Sequence, residues 1–324
     1  MKHFINKRRL KLEEINERVR TDLPGFIQEE RERYLNELDV LARHLAVGYS
    51  NHCLVMLSGP SSSGKTTTAK MLSNRLRELG IEAHTISMDD FYRGREQAPK
   101  LDNGRYDYEA LEALRLADLE KCMRELIRDG RTLLPKFDFN KGRPFDDIYE
   151  LSIKPNAVVI FEGIHAINPY FEQHLPSESL FKLFVNTVTP IYKGDLKFMA
   201  RRMIRLTRRL LRDERFRNSP VVNTLEMWQE VVRGENEYMF PYVDTVDYLI
   251  DTTHAYESCF FAPLLMPSLK AVSPDNPHTD TVQYLYNSLS EFEPLSLDKL
   301  PGDSLLREFV GDKKGNNRAL FLTP

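Results

Sequence analysis

A short apolar run, Cys53-Leu54-Val55-Met56-Leu57, leads into Gly59-Pro60-Ser61-Ser62-Ser63-Gly64-Lys65-Thr66, and a helical pattern follows to about Leu79. The run has the length and continuity of a strand buried on both faces. The turn matches G-x-x-x-x-G-K-[ST] at every fixed position. Glycines let such a loop wrap tightly, so that backbone N–H groups point inward at an anion. The helix opening near Lys65 adds its positive dipole end. Residues Gly59 to Thr67 are therefore the expected cradle for the phosphates of ATP. Lys65 supplies a point charge toward the β- and γ-phosphates, and the Thr66 hydroxyl is the expected Mg²⁺ ligand. Loops of this type serve kinases, GTPases, motors and transporters alike, and no NKxD base-reading motif is present.

The rest of the chain repeats the strand-then-helix alternation. Residues 81–86, Ala157–Phe161, Leu180–Asn186 and Asp247–Ile250 read as strands, with helical stretches at Tyr108–Asp129 and Leu196–Arg215 between them. This predicts an α/β fold: a parallel sheet with helices on both faces. Ligands bind such a sheet at the carboxyl ends of its strands. Residues 1–50 read as a helical, charged arm, with Leu35, Leu38, Leu41 and Leu45 on one face and a break at Asp22-Leu23-Pro24-Gly25. The expected division is an arm over 1–50, a phosphate-loop domain over 51–255, and an extension over 256–324 packed on that domain.

Bulk properties narrow the partners. The formal net charge of -3 argues against nucleic-acid binding by overall positive charge. Cys53, Cys122 and Cys259 form no CxxC pair, so they read as reduced thiols rather than a disulfide frame or zinc site. No run approaches the ~20 apolar residues of a membrane span, and the start MKHFINKRRLKLEE lacks a secretory core. A cytoplasmic protein with a small-molecule substrate, no nucleic acid, no membrane and an open question of homo-oligomerisation is the expectation.

Two acidic sites follow strands: Ser87-Met88-Asp89-Asp90-Phe91-Tyr92-Arg93 and Phe161-Glu162-Gly163. Beside a phosphate loop, one carboxylate can accept a proton from an attacking hydroxyl and another can hold the metal. Asp89 is assigned as base, with Asp90 as its fallback, and Glu162 as the metal-side carboxylate. Residues 193–217 hold ten Lys or Arg against three Asp or Glu. On a helix, Arg201, Arg205, Arg208, Arg212 and Arg215 share one face, expected to look outward or into a cleft, opposite Met199, Met203, Leu206 and Leu210. Guanidinium forks suit phosphate oxygens, although a solvated basic face accounts for some of these arginines. Between the acidic sites, Gly104-Arg105-Tyr106-Asp107-Tyr108 and Pro135-Lys136-Phe137-Asp138-Phe139 mix carboxylates with rings, and core packing accounts for the phenylalanines on spacing alone.

Taken in order, GPSSSGKTT, SMDDFYR, YDYEALEAL, PKFDF, FEGIHAINP, KLFVN and RRLLRD resemble the phosphoribulokinase/uridine kinase family of P-loop kinases, from about Leu54 to Asp251. The nearest resemblance is to the kinase half of bacterial uridine kinase-like proteins. The stretch WQEVVRGENEYMFPYVDTVDYLID and SLLREFVG are also similar to that group. Its longer members carry an N-terminal module similar to part of threonyl-tRNA synthetase, for which residues 1–50 are too short. The resemblance implies a five-stranded parallel core, a mobile lid, and phosphate transfer to a ribose 5′-hydroxyl. It implies a base at Asp89, ribose contacts at Tyr92 and Asp107, and aromatic base contacts at Tyr106, Phe137 and Phe139. It implies catalytic lid arginines at Arg209 and Arg212, with Arg215 and Arg217 beside ATP. Characterised uridine kinases have Tyr at the position of Phe137 and His near that of Gly142. Uridine or cytidine is thus the default acceptor, with a purine nucleoside, a pantothenate-like alcohol or a sugar phosphate as alternatives. A non-catalytic ATP-binding regulator is the reading from another class.

Overall fold

The computed structural model describes residues 8–48, 53–138, 141–145 and 149–312. Five strands, β1 (Cys53–Ser58), β2 (Ala83–Ser87), β3 (Val158–Glu162), β4 (Leu180–Asn186) and β5 (Tyr248–Asp251), form a parallel sheet in the order β5-β4-β1-β3-β2. Every residue of β1, β3 and β4 is buried, which is why these strands read as unbroken apolar runs. The strand order reverses beside β1, so a crevice opens beyond its carboxyl end. Strand β4 has the expected limits, and the other four differ from expectation by one or two residues, the largest shift being at β2.

Helices α1 (Leu12–Thr21) and α2 (Leu23–Gly48) form the arm, broken at Asp22. Leu38, Leu41 and Leu45 are buried and Leu35 is half-buried, seating α2 against α3 (Lys65–Glu78). The arm is also tied by polar groups. The Tyr34 hydroxyl lies 2.7 Å from Thr68 Oγ1. Arg33 donates to the carbonyls of Asp251 and Thr253, and buried Glu30 accepts from the Ala255 N–H.

Two expected helices start late. Helix α4 covers only Leu116–Asp129, because Tyr92 bridges Leu114 and Arg115 donates its N–H to Phe91, separating α4 from a short 3₁₀ turn at Leu111–Ala113. Leu196–Met199 is a strand paired with Ile191–Lys193, and α5 runs over Arg201–Phe216. Helices α6 (Val221–Tyr238) and α7 (Glu257–Lys270) pack beside α5, and α8 (Thr279–Leu289) packs on α7. The chain then returns through residues 297–310 to the loop at the head of α3. Arm, extension and one face of the sheet share a single apolar cluster, while α4 covers the other face. The three cysteines are buried and form no disulfide. Among the described residues no helix is long and apolar enough to cross a membrane.

Candidate active site

The loop between β1 and α3 shows why both of its glycines are needed. A Cβ on Gly59 would lie 2.1 Å from the Val185 carbonyl of neighbouring β4. Gly64 has φ +91°, a conformation that side chains disfavour, and a Cβ there would also meet Leu305. The Ser63 N–H closes the turn on the Pro60 carbonyl, and Lys65 Nζ lies 3.3 Å from the same oxygen. The buried hydroxyls of Ser62 and Ser63 have no partner among the described residues and can donate to an anion. Thr66 sits in the first turn of α3. The Thr67 N–H and hydroxyl donate to Glu308 Oε2 at 3.3 and 2.6 Å.

Asp89 lies in a single 3₁₀ turn after β2, capped by Ser87, whose hydroxyl accepts the Asp89 N–H at 3.3 Å. The same hydroxyl donates to Glu162 Oε1 at 3.1 Å, across the β2–β3 register that sets Ser87 opposite Glu162. Burial, helped by nearby Asp89 and opposed by Lys65, pushes the Glu162 carboxyl up to about 7. Burial likewise raises Asp89, with Lys65 and Arg217 opposing. Lys65, Asp89 and Glu162 thus form one electrostatic group in which two carboxylates crowd a desolvated space. Asp90 is not available as a substitute base: it accepts from Lys136 Nζ and the Phe137 N–H, both at 3.2 Å.

The basic helix is a correction. Arg205 and Arg208 do not face solvent or a cleft; they are 2% and 0% exposed. Two carboxylates on α6 and α7 neutralise them: Arg205 pairs with Glu235 at 2.5 Å, and Arg208 with Glu257 at 2.6 Å. From there they grip the phosphate loop from outside. Arg205 donates to the Ser61 carbonyl, Arg208 to those of Ser62 and Ser63, and Glu235 accepts the Ser61 N–H. The arginines nearer the crevice are gathered by a buried carboxylate, Asp213, which pairs with Arg209, Arg212 and Arg217. Arg209 also donates to Ser61 Oγ at 2.7 Å. Arg212 is mostly buried, and Arg215 is exposed.

On the acceptor side, Tyr92 and Phe137 meet edge to face at 6.2 Å, and Phe137 is buried. Tyr106 is half-buried beside Tyr108, with Lys100 over its ring. Asp107, expected to hold a ribose diol, has both oxygens committed within the chain. Oδ1 accepts from Arg233 and the Glu109 N–H, and Oδ2 from the Tyr238 hydroxyl. Phe139 lies outside the described residues. Three groups escaped sequence reasoning. Glu109 is pushed up to about 7 by burial and faces Arg209, Glu235, Asp89 and Lys65. His165 is buried and pushed down to about 4 by desolvation. Glu308 reaches Thr67 across 241 residues of sequence. Only the acidic residue two places after Asp107 and the histidine three after Glu162 gave any local signal.

Among the described residues no three or more His, Cys, Asp or Glu gather into a preformed metal cage. One hydroxyl, Thr66, and one carboxylate, Glu162, suit a hard cation that takes its remaining ligands from phosphates and water. The crowding that raises Glu162 is also what a bound cation would relieve.

Residues 54–256 match the Phosphoribulokinase / Uridine kinase family. A uridine kinase of Mycoplasma genitalium is 29% identical over 181 residues, covering 55% of this chain and 75% of that protein. Uridine-cytidine kinase 2-B of Danio rerio is 26% identical, covering 61% and 72%. Uridine kinase-like protein 5 of Arabidopsis thaliana is 24% identical, covering 64% of this chain and 44% of that longer protein.

Proposed function

The chain belongs to the phosphoribulokinase/uridine kinase family, and on that footing we propose that it transfers the γ-phosphate of Mg-ATP to the 5′-hydroxyl of a nucleoside, uridine or cytidine by default. The observation that carries this reading is the adjacency of Asp89 and Glu162 on neighbouring strand ends, with Lys65 acting on both. Loop amides and Lys65 hold the phosphates. Thr66 and Glu162 would hold Mg²⁺, which neutralises phosphate charge when bound. Asp89 Oδ accepts the proton of the attacking hydroxyl, and burial raises its proton affinity, which favours that task. Arg209, which donates to Ser61 of the loop, and Arg212, both paired with Asp213, stabilise the transferring group. Tyr92, Tyr106 and Phe137 line the acceptor side. Asp107 reaches the acceptor either by exchanging Tyr238 for a hydroxyl or indirectly, by bracing Arg233 and Tyr238.

The test is Mg-ATP turnover to ADP across a panel of nucleosides, with pantothenate and ribulose 5-phosphate included. Strong stimulation by one nucleoside with a 5′-monophosphate product supports the reading. Stimulation only by another alcohol keeps the chemistry and replaces the substrate. ATP binding with no acceptor-dependent turnover turns the protein into a regulator and sinks the proposal.

A further inference from the structure

The carboxylate expected to hold the acceptor is engaged inside the chain, and a second one stands open two residues on. Asp107 accepts from Arg233, Tyr238 and the Glu109 N–H. Glu109 is half-buried, and among the described residues its carboxylate makes no hydrogen bond or ion pair. The cations and acids around it are already matched to one another. Glu235 receives Arg205 on both oxygens and the Ser61 N–H on one of them. Arg209 pairs with Asp213 and donates to Ser61 Oγ.

Helix α6 builds the seat of Glu109. A Cβ on Gly234 would lie 2.5 Å from Glu109 Cβ and 2.7 Å from its Cγ. Glycine inside a helix is unfavourable relative to alanine, and here the absent side chain is what makes room for Glu109. Arg233, just before this glycine, fixes Asp107, and Glu235, just after it, grips the phosphate loop. Three successive residues of one helix therefore set Asp107, Glu109 and the loop relative to one another. In that position Glu109 acts on Lys65, Arg209 and Asp89. Together with Asp89 and Asp107 it also acts on Tyr92, which lies edge to face with Phe137. It stands between the phosphate end of the crevice and the acceptor lining.

An acceptor hydroxyl must come within hydrogen-bond reach of Asp89 to lose its proton. The groups carried next to that hydroxyl then meet the carboxylate beside Asp89, and an open carboxylate only accepts hydrogen bonds. We propose that Glu109 is a specificity-determining residue of the acceptor site: its carboxylate accepts from a further hydroxyl of the acceptor, while Asp107 braces the segment that carries it. The assignment rests on the nucleoside kinase reading above. The acceptor class that fits is a polyhydroxylated alcohol, and on a ribonucleoside the hydroxyl that is read is the one at 2′ or 3′.

Steady-state kcat/KM with Mg-ATP for uridine, 2′-deoxyuridine and 3′-deoxyuridine tests this. The proteins are the full chain, Glu109→Gln, Glu109→Met, Gly234→Ala and Asp107→Asn. Wild type is expected to prefer uridine over one deoxy analogue by about tenfold or more, as loss of a hydrogen bond to a charged group should give. Glu109→Met is expected to bring that preference within about twofold. Glu109→Gln should keep part of it, because the amide oxygen still accepts, and Gly234→Ala should lower it by moving Glu109. Asp107→Asn is expected to slow all three nucleosides together and keep the preference. A preference that survives both Glu109 variants, or that is lost in Asp107→Asn alone, overturns the proposal. Glu109 variants that slow uridine and both analogues by one common factor also overturn it. A wild-type preference under about twofold overturns it too and leaves the kinase reading standing. Wild-type protein that phosphorylates none of the three brings down the nucleoside reading itself, and this assignment with it.

Discussion

Glu257→Gln removes the charge that neutralises Arg208 at almost constant volume. Both side chains are 0% exposed. Arg208 Nε and Nη2 reach the two Glu257 oxygens at 2.6 and 3.0 Å, and the guanidinium stacks 5.0 Å from the Phe309 ring. Glutamine can keep one of the two bonds but leaves a positive charge without a counter-ion in a dry site. Breaking a buried pair from one side costs about 3–5 kcal/mol. In a chain of this length that lowers Tm by about 4–7 °C. Adding Arg208→Met removes the second charge, and most of the stability should return, since an uncharged pair of similar volume avoids the desolvation of both ions. Phosphate binding should not return, because methionine cannot donate to the Ser62, Ser63 and Thr252 carbonyls that Arg208 now holds. A urea-denaturation double-mutant cycle, run beside tripolyphosphate binding, separates the two effects. A single-variant loss under about 1 kcal/mol, or a double variant as unstable as the sum of the singles, refutes the reasoning.

Asp89→Asn should keep ADP binding and lose roughly 10²-fold or more in kcat; a near-normal rate would remove Asp89 as the base. Glu162 has its carboxyl raised to about 7, so a proton occupies it below that pH and must leave before a cation binds. Mg²⁺ affinity in the nucleotide complex should therefore rise by about tenfold per unit as pH climbs to 7 and flatten above it. Glu162→Gln should abolish that slope, and a flat wild-type profile between pH 6 and 8 would contradict the assignment. Gly59→Ala places a methyl against the Val185 carbonyl, so the loop must move off β4. ADP binding should be lost in a chain that still melts cooperatively, and normal ADP affinity in this variant would show the loop tolerates the shift.

The sheet was legible because β1, β3 and β4 are buried on both faces and carry continuous apolar runs. The phosphate loop was legible because its glycines answer local steric demands at positions 59 and 64. The arm's leucine face was legible for the same local reason, and three of its four leucines are fully buried. Helical periodicity put Arg205 and Arg208 on one face but could not say what stands opposite. Their partners, Glu235 and Glu257, come from two other helices. Asp107 shows the same blindness, since Arg233 and Tyr238 are more than 120 residues away. The late start of α4 depends on the bridge between Tyr92 and Leu114, a tertiary pairing that overrides local helical pattern. SLLREFVG was noticed only as a similarity, because nothing in its composition reveals that Leu305 and Glu308 lie on the phosphate loop.

The seating of Glu308 on Thr67 carries a consequence in time. The two residues are 241 apart, and a ribosome working at about 5–20 residues per second takes roughly 10–50 s to travel between them. Through that interval a nascent chain holds the glycine loop and α3 without the segment that backs Gly64. Arg20 with Glu293, and Arg31 with Asp303, likewise join early residues to late ones. Such long-range closures slow folding, since each must bring distant chain together before any contact rewards it. A chain that stalls before residue 305 is left with an open seat at Gly64 where Leu305 would pack.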